Sequence, residues 1–522
     1  MMTTAQLKKA VEEALSYLRT VPDVKEAEVF ASANGNLLTR LNYTSHIPSN
    51  GVEEPKSTEA YGVGIQAVFR TEDGLKVGFG SEPSDVRLEG VKRALDKARQ
   101  GAVIDPEFRA LPGPTGEKRS LRRYHDPRLM KIRDEDLVDA GWRIMNGALR
   151  TFATSERLRE LAGSEAGIVR LGLILGGDVT ILQERAAVGS FNLPRVEADE
   201  STLIMAFITA MVEARDSKGS GWQTATRLDE FTEQAGVEAA QSAINAIGGR
   251  RVKTGEYRVI FGKQPVTDLL NNLVLPSVQA GSFYSSSSPF MGKLGQQVAS
   301  EQLIIYDHGA AKGLMGSKGI TCEGLPTGRT DLIKNGVLVG LLSNHYETQR
   351  LVNDPQAKEK LGVDPLDHGS ALVPRNGFRF GRGGGRAFDM QPGVAPTNVI
   401  IEGQEPAELD ELVRRVGDGL LIGRIWYTYP INGLRAGDFT CTVVGDSYII
   451  RDGKIVAPLK PNTVRINDNI HNVLNNVIGV GRDRKGTLVW AADEVIYATE
   501  VAVSRVRVDE IAGFMDTLMP GG

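Results

Sequence analysis

The pattern of apolar and polar positions divides the chain into a first half that mixes helices with strands and a second half rich in strands. Apolar residues at helical spacing predict helices over residues 4–19 and 135–162, while "EAEVFASA" has the period-two pattern of a strand. The turn signal in "TEDGLK", flanked by alternating apolar residues, predicts a β-hairpin. These elements predict an α+β arrangement for the first half.

Short apolar runs separated by glycine turns fill the second half, as in "EYRVIFG", "QLIIYDHG", "TNVIIEG" and "GLLIGRIWYTYP". "RDGK" adds a second tight hairpin signal, and the whole pattern predicts a mostly antiparallel, β-rich region. A chain of 522 residues is too long for one hydrophobic core. We therefore predict an α+β protein with an N-terminal α+β domain over residues 1–250 and a larger, β-rich C-terminal domain over residues 251–522.

Two segments look like insertions into this plan. Residues 105–135 are rich in proline, glycine and charge and look like an excursion from the core. Their basic run, "KRSLRRYHDPRLMKIR", is interpreted as a solvated helix face or an interface rim. Residues 364–396 contain "GFRFGRGGGRAF", which lacks the GK[ST] ending of a phosphate loop and the extended context of an RNA-binding arginine–glycine segment. We predict a mobile connector there.

Composition and charge argue against several classes of protein. A formal net charge of −4 at pH 7 provides no overall attraction to nucleic acid or to an anionic membrane, and no apolar run approaches a membrane span. The two cysteines, Cys322 and Cys441, lie far apart, which predicts reduced thiols. The N-terminal helix carries charges throughout and lacks the apolar core of a signal peptide. We expect a soluble, cytoplasmic protein.

The residues offer no familiar catalytic motif. The six histidines form no HExxH motif, and no GxSxG elbow surrounds a serine. A looser set of potential ligands, His308, Cys322, Glu323 and His345, is a candidate metal cluster, and each of these residues also fits a turn or a strand end. The loop "GSFYSSSSPFMGKLG" is typical of a flexible or partner-contacting segment rather than of a catalytic serine.

The stretch "QPVTDLLNNLVLP", residues 264–276, predicts the start of a helix with Thr267 or Asp268 as its cap and leucines at helical spacing. Two adjacent asparagines, Asn271 and Asn272, occupy its middle, where better helix formers are expected. As a local pattern, a polar helix face explains the pair.

The second half nevertheless carries an ordered series of distinctive blocks. They are "TGEYRVIFGKQPVTDLL", "SSSSPFMGKLGQQVASEQLIIYDHG", "CEGLPTGRTDLIKNGVLVGLLSNHYETQRL", "NVIIEGQEPAELDELVRRVGDGLLI" and "NGLRAGDFTCTVVGDSYIIRDGKIV". In their order and in their glycines they resemble the TldD/TldE family, whose TldE member is also called PmbA. The resemblance covers roughly residues 254–485, and a weaker similarity is present in the first half.

This resemblance implies roles for the asparagine helix. TldD-like chains are zinc metallopeptidases with an HExxxH motif on this helix and a further cysteine ligand near the C-terminus, whereas TldE-like chains lack both and pair with a TldD-like chain. On the family pattern Asn271 occupies the position of the first histidine, Asn272 that of the catalytic glutamate and Pro276 that of the second histidine. Leu488 or a neighbour stands for the cysteine. These departures identify the chain as TldE-like, with no catalytic or metal-binding residue of its own.

The resemblance also predicts a function and a partner. We expect a non-catalytic subunit of a heterodimeric TldD/TldE zinc metallopeptidase complex that processes or degrades unfolded peptides. Zinc would belong to the TldD-like partner, and an edge strand of the second half could hold peptide by strand addition. Two alternatives are a self-sufficient metallopeptidase with a rearranged metal site and a homodimeric peptide-binding or regulatory protein. No membrane or direct nucleic-acid partner is expected.

Overall fold

A computed structural model describes residues 2–47, 50–381, 384–488 and 495–511. The first half forms one antiparallel sheet with the strand order β4-β3-β1-β5-β6-β7, and β2 pairs with the end of β1. Its strands are β1 (Val24–Thr44), β2 (Gly51–Val52), β3 (Lys56–Thr71), β4 (Gly74–Pro83), β5 (Leu173–Ser190), β6 (Glu197–Val212) and β7 (Ser217–Ala225). The "TEDGLK" hairpin is confirmed, because Thr71 pairs with Gly74 around a two-residue turn.

Helices cover this sheet at two places. They are α1 (Thr4–Leu18), α2 (Leu88–Gln100), α3 (Asp134–Ala153), α4 (Glu156–Ala162) and α5 (Gln234–Asn245). Helices α1 and α2 share one apolar core with the sheet, and α3 and α5 share another. The helix predicted over residues 135–162 is divided, because Ser155 caps a new helix by accepting the Leu158 amide.

The second half contains a nine-stranded sheet with the order β16-β17-β20-β24-β8-β15-β18-β19, to which β21 adds beside β24. A six-stranded sheet has the order β11-β10-β9-β14-β23-β22, and β12 pairs with β13. These strands are β8 (Gly255–Phe261), β9 (Leu303–His308), β10 (Arg329–Lys334), β11 (Val337–Leu338), β12 (Gly377–Phe378), β13 (Gly393–Val394), β14 (Asn398–Gly403), β15 (Gly419–Ile422), β16 (Arg424–Pro430), β17 (Asp438–Gly445), β18 (Tyr448–Arg451), β19 (Lys454–Pro458), β20 (Val464–Asn469), β21 (Val477–Val480), β22 (Lys485–Leu488), β23 (Val495–Ala498) and β24 (Val501–Glu510).

Most strand pairs of the second half are antiparallel, and the parallel pairs within the described ranges are β8 with β15 and β14 with β23. The "RDGK" hairpin is confirmed, with Asp452 and Gly453 both at positive φ in the turn. Short helices connect the strands: α6 (Lys263–Leu269), α7 (Leu275–Ser277), α8 (Ala280–Tyr284), α9 (His345–Val352), α10 (Ala357–Leu361), α11 (Leu409–Val416) and α12 (Ile470–Asn475). The predicted α+β fold with a β-rich second half is confirmed.

The first sheet ends at Ala225 and the next strand begins at Gly255, while the division into domains 1–250 and 251–522 stays a prediction. Across the described residues, none of the helices is long and apolar enough to cross a membrane.

The glycine-rich segment crosses from the second half onto the first sheet, and the prediction of a mobile connector is wrong for Arg379 and Arg386. Both Arg379 and Arg386 are fully buried. Arg386 donates from Nε to Glu184 on β5 at 2.8 Å and from Nη1 to Asp199 on β6 at 3.0 Å. We call residues 377–381 and 384–390 the strap. Because its arginines are paired inside the protein, they are not available to nucleic acid.

Phe388 of the strap lies against the first sheet, where a Cβ on Gly64 would overlap the carbonyl of Phe388. Only a glycine allows the strap to approach β3 so closely. The strap and the sheet therefore form one continuous packed surface.

The excursion over residues 105–135 also joins the two halves. Arg119, at the start of the basic run, is nearly buried and contacts Asp199 at 2.5 Å. The Tyr346 hydroxyl on α9 donates to Asp105 at 3.0 Å. The interpretation as a solvated face or rim is therefore wrong for Arg119, because it neutralises a carboxylate that is itself buried.

Candidate functional site

The asparagine helix follows β8 and contains one wide turn. Helix α6 begins at Lys263 after an extended Gly262, so the prediction of Thr267 or Asp268 as its cap is wrong. The Thr267 hydroxyl instead donates to the Lys263 carbonyl inside the helix. Leu270–Val274 forms a π-helical turn before α7. Such turns are rare and occur frequently at functional sites.

Pro276 explains why the helix is irregular at this point. Proline has no amide hydrogen, and in a regular α-helix its ring would collide with the carbonyl four residues earlier, which belongs to Asn272. The chain widens instead, and the Leu275 amide donates to the Leu270 carbonyl five residues back. The asparagine pair and Pro276 thus lie on a single distorted turn.

Both asparagines are half-buried. The Asn272 amide group donates to the backbone carbonyl of Asp268 at 2.9 Å, so this side chain supports the helix. The Asp268 carboxylate accepts from the Thr428 hydroxyl at 2.9 Å. Burial raises the pKa of Asp268, and the Thr428 hydroxyl partly offsets that increase.

Strand β16 is the edge of the nine-stranded sheet and lies beside this helix. Gln264 on α6 accepts from the Ile425 amide at 2.9 Å and donates to the Ile425 carbonyl at 3.2 Å. Together with the contact between Asp268 and Thr428, these bonds fix the helix to the edge strand at two places.

The edge strand exposes three aromatic side chains. Trp426, Tyr427 and Tyr429 are 50%, 72% and 52% exposed. Tyr427 has φ +56, a left-handed conformation that is an outlier for a bulky residue. The pairing of β16 with β17 shifts register between Trp426 and Tyr429, so Tyr427 lies in a bulge. Exposed aromatic groups on a strained backbone make this edge a candidate binding surface.

The serine-rich loop packs against the end of the same helix. The Ser282 hydroxyl donates to the Pro276 carbonyl at 2.6 Å, and the Ser288 hydroxyl donates to the Ser277 carbonyl at 2.7 Å. Ser288 is fully buried. The prediction of a flexible loop is therefore wrong for these two serines, which satisfy carbonyls that the helix end leaves without partners.

The candidate metal cluster is not assembled. Cys322 accepts from the backbone amide of Arg379 at 3.3 Å, and both carboxylate oxygens of Glu323 accept from the His345 amide at 3.2 Å. The His345 ring contacts the Ala110 carbonyl at 3.1 Å, while His308 lies at the end of β9. Over the parts of the chain that the structure describes, no three His, Cys, Asp or Glu side chains are grouped as metal ligands.

Strand β22 ends at Leu488, near the position that the resemblance assigns to a cysteine ligand. The neighbouring residues 489–494 lie outside the described residues.

Residues 254–512 match the family model of the PmbA/TldA metallopeptidase C-terminal domain. A metalloprotease from Methanothermobacter thermautotrophicus is 25% identical over 256 residues, which are 49% of either chain. Metalloprotease PmbA from Escherichia coli O157:H7 is 23% identical over 253 residues, 48% of this chain and 46% of that protein. The chain therefore spans about half the length of the curated relatives that it matches.

Solved structures extend the likeness to the whole fold. TldE from Thermococcus kodakarensis superposes with a TM-score of 0.74 at 16% identity, covering 96% of this chain and 100% of that one. A putative modulator of DNA gyrase from Bacteroides thetaiotaomicron gives 0.72 at 15% identity, covering 98% and 100%. The chain belongs to the PmbA/TldD family, a group of metallopeptidase-like proteins.

Proposed function

We propose that this chain is a non-catalytic, TldE/PmbA-like subunit of a cytoplasmic complex with a TldD-like zinc metallopeptidase. The observation that carries the proposal is the composition of the wide turn. Asparagine cannot take a proton from zinc-bound water as a glutamate does, and Pro276 has no side-chain donor atom for a metal. Zinc, its ligands and the general base then belong to the partner.

In this complex, the chain helps to enclose unfolded peptides that the partner processes or degrades. Strand β16 is the part of the chain suited to hold such a peptide. Gln264 occupies its outer edge at Ile425, and beyond that residue the edge is unpaired among the described strands. An extended peptide can add to such an edge through backbone hydrogen bonds. The exposed rings of Trp426, Tyr427 and Tyr429 would contact the peptide side chains.

Metal content and cleavage of an unfolded peptide, measured for the chain alone and with a TldD-like partner, test this proposal. The chain alone is expected to bind no zinc in stoichiometric amount and to cleave nothing. The reconstituted pair should contain zinc and cleave the peptide, and a chelator should abolish cleavage.

One substitution in each subunit shows which of the two subunits carries the catalytic residues. Asn272→Ala in this chain should leave cleavage by the pair intact, because the Asn272 side chain bonds to the backbone of its own helix. Replacing the glutamate of the partner's HExxxH motif should abolish cleavage. Stoichiometric zinc with chelator-sensitive cleavage by the chain alone would overturn the proposal in favour of a self-sufficient enzyme.

Tyr427→Gly tests the peptide contact. Glycine adopts φ +56 without strain, so the free energy of unfolding should stay within about 1 kcal/mol of the wild-type value or rise above it. Tyr429→Gly is the matched control and should be destabilising, because it removes a side chain from a regular strand position. Binding of a fluorescent unfolded peptide should weaken in the Tyr427→Gly variant despite its stability. Unchanged peptide binding would exclude β16 as the peptide site.

A further inference from the structure

A polar cleft of about 520 Å³ opens at the start of β8, at the opposite end of that strand from α6. The pairing of β8 with β24 is interrupted there, because Ser504 and Arg505 together stand opposite Arg258. This bulge opens the sheet surface between the two strands. The volume is within the usual range for small-molecule sites.

Two arginines in the cleft are held in place without a carboxylate partner. The Arg258 guanidinium donates to the carbonyl of Val416 at 3.1 Å and of Arg415 at 3.5 Å, at the end of α11. The Arg451 guanidinium donates to the Ile450 carbonyl at 3.2 Å. Within the described residues, the hydrogen bonds of both guanidinium groups go to backbone carbonyls. Both are positioned by neutral carbonyls and keep their full charge available.

The acidic groups that line the same cleft already have donors. Glu256 pairs with Arg505 at 2.5 Å, and Asp418 accepts from the Asp452 amide at 2.9 Å. With Glu256 and Arg505 paired, two guanidinium groups face one remaining carboxylate, so the cleft has a local excess of positive charge in a chain whose overall charge is negative.

We propose that this cleft binds a small oxyanion, a carboxylate or phosphate group, between Arg258 and Arg451. Planar guanidinium groups bind both anions through paired hydrogen bonds, and Arg258, which two carbonyls already hold in place, loses less freedom on binding. The Ser504 hydroxyl lines the cleft and supplies a further donor. This inference does not depend on the proposed peptidase complex.

Calorimetric titration of the full chain with inorganic phosphate and with citrate, at constant ionic strength, tests the site. Saturable binding of either anion is expected. The anion that binds more tightly shows whether the site prefers a phosphate or a carboxylate group. Arg451→Met should weaken that binding by about tenfold or more, since a charged hydrogen bond is lost. The Arg451 side chain is exposed and donates to the carbonyl of the preceding residue, so the fold should be unaffected.

Lys454→Met is the matched control, because it removes the same charge from the same hairpin outside the cleft lining and should leave the affinity unchanged. Arg258→Met should weaken binding as strongly as Arg451→Met. The proposal fails if neither anion binds saturably, or if the Arg451→Met and Lys454→Met variants bind equally well.

Discussion

Replacing Arg386 with methionine is expected to lower the free energy of unfolding by about 3–5 kcal/mol. The substitution removes the cation that joins the buried carboxylates of Glu184 and Asp199, and incompletely compensated buried charge is among the costliest defects in a protein. Arg119 still contacts Asp199 at 2.5 Å. Lys318 still contacts Glu184 at 3.2 Å, but it cannot reproduce the planar fork of the guanidinium. Chemical denaturation of the variant and the wild type measures the loss.

Two further variants make this test specific. Arg133→Met removes a solvent-exposed ion pair with Asp136 and should leave stability nearly unchanged. Adding Asp199→Asn to Arg386→Met should restore part of the lost stability, since it removes the surplus buried negative charge while Arg119 keeps Glu197 as its partner. If Arg133→Met and Arg386→Met cost the same, the buried network does not hold the strap to the first sheet.

Stability is expected to fall as the pH rises from about 4.5 to about 8, and Glu323→Gln should flatten this dependence. Burial, reinforced by the charge of Glu28, raises the pKa of Glu323 from 4.5 to about 8. Between these values the folded state keeps a proton that the unfolded state has released. For each proton that the folded state retains in this way, the free energy of unfolding falls by about 1.4 kcal/mol for every unit by which the pH rises.

The glutamine variant mimics the protonated side chain and should therefore be more stable than the wild type at pH 8, with the smallest difference below pH 4.5. Denaturation at a series of pH values provides the slopes. Glu402→Gln, on the partly exposed strand end of β14, is the control and should keep the wild-type slope. Equal slopes for wild type and Glu323→Gln would show that Glu323 ionises normally in the folded state.

Local chemistry explains which elements could be predicted from the sequence. The hairpins at "TEDGLK" and "RDGK" depend on two turn residues each and form as expected. The helix predicted over residues 4–19 forms over Thr4–Leu18, with a capping box between Thr3 and Gln6. In each case the deciding residues are neighbours along the chain.

The strap could not be predicted because its partners are distant in sequence. Arg386 is 202 residues from Glu184, and a run of arginines and glycines is typical of a mobile segment unless such partners are known. The exposed edge at β16 depends likewise on the order of strands across the whole sheet. No neighbouring residue in the sequence signals the positive φ of Tyr427, which lies between two residues bonded to α6, Ile425 and Thr428.

The wide turn at Leu270–Val274 also affects which side chains share a direction. At about 100° per residue, positions five apart in an α-helix point to well-separated directions, whereas a π turn closes over about five residues and brings them together. Asn271 and Pro276 have this spacing. The backbone here thus has the shape that a pair of ligands at an interval of five requires, although Pro276 has no side-chain donor atom and Asn271 offers an amide oxygen, which is not among the usual ligands of zinc.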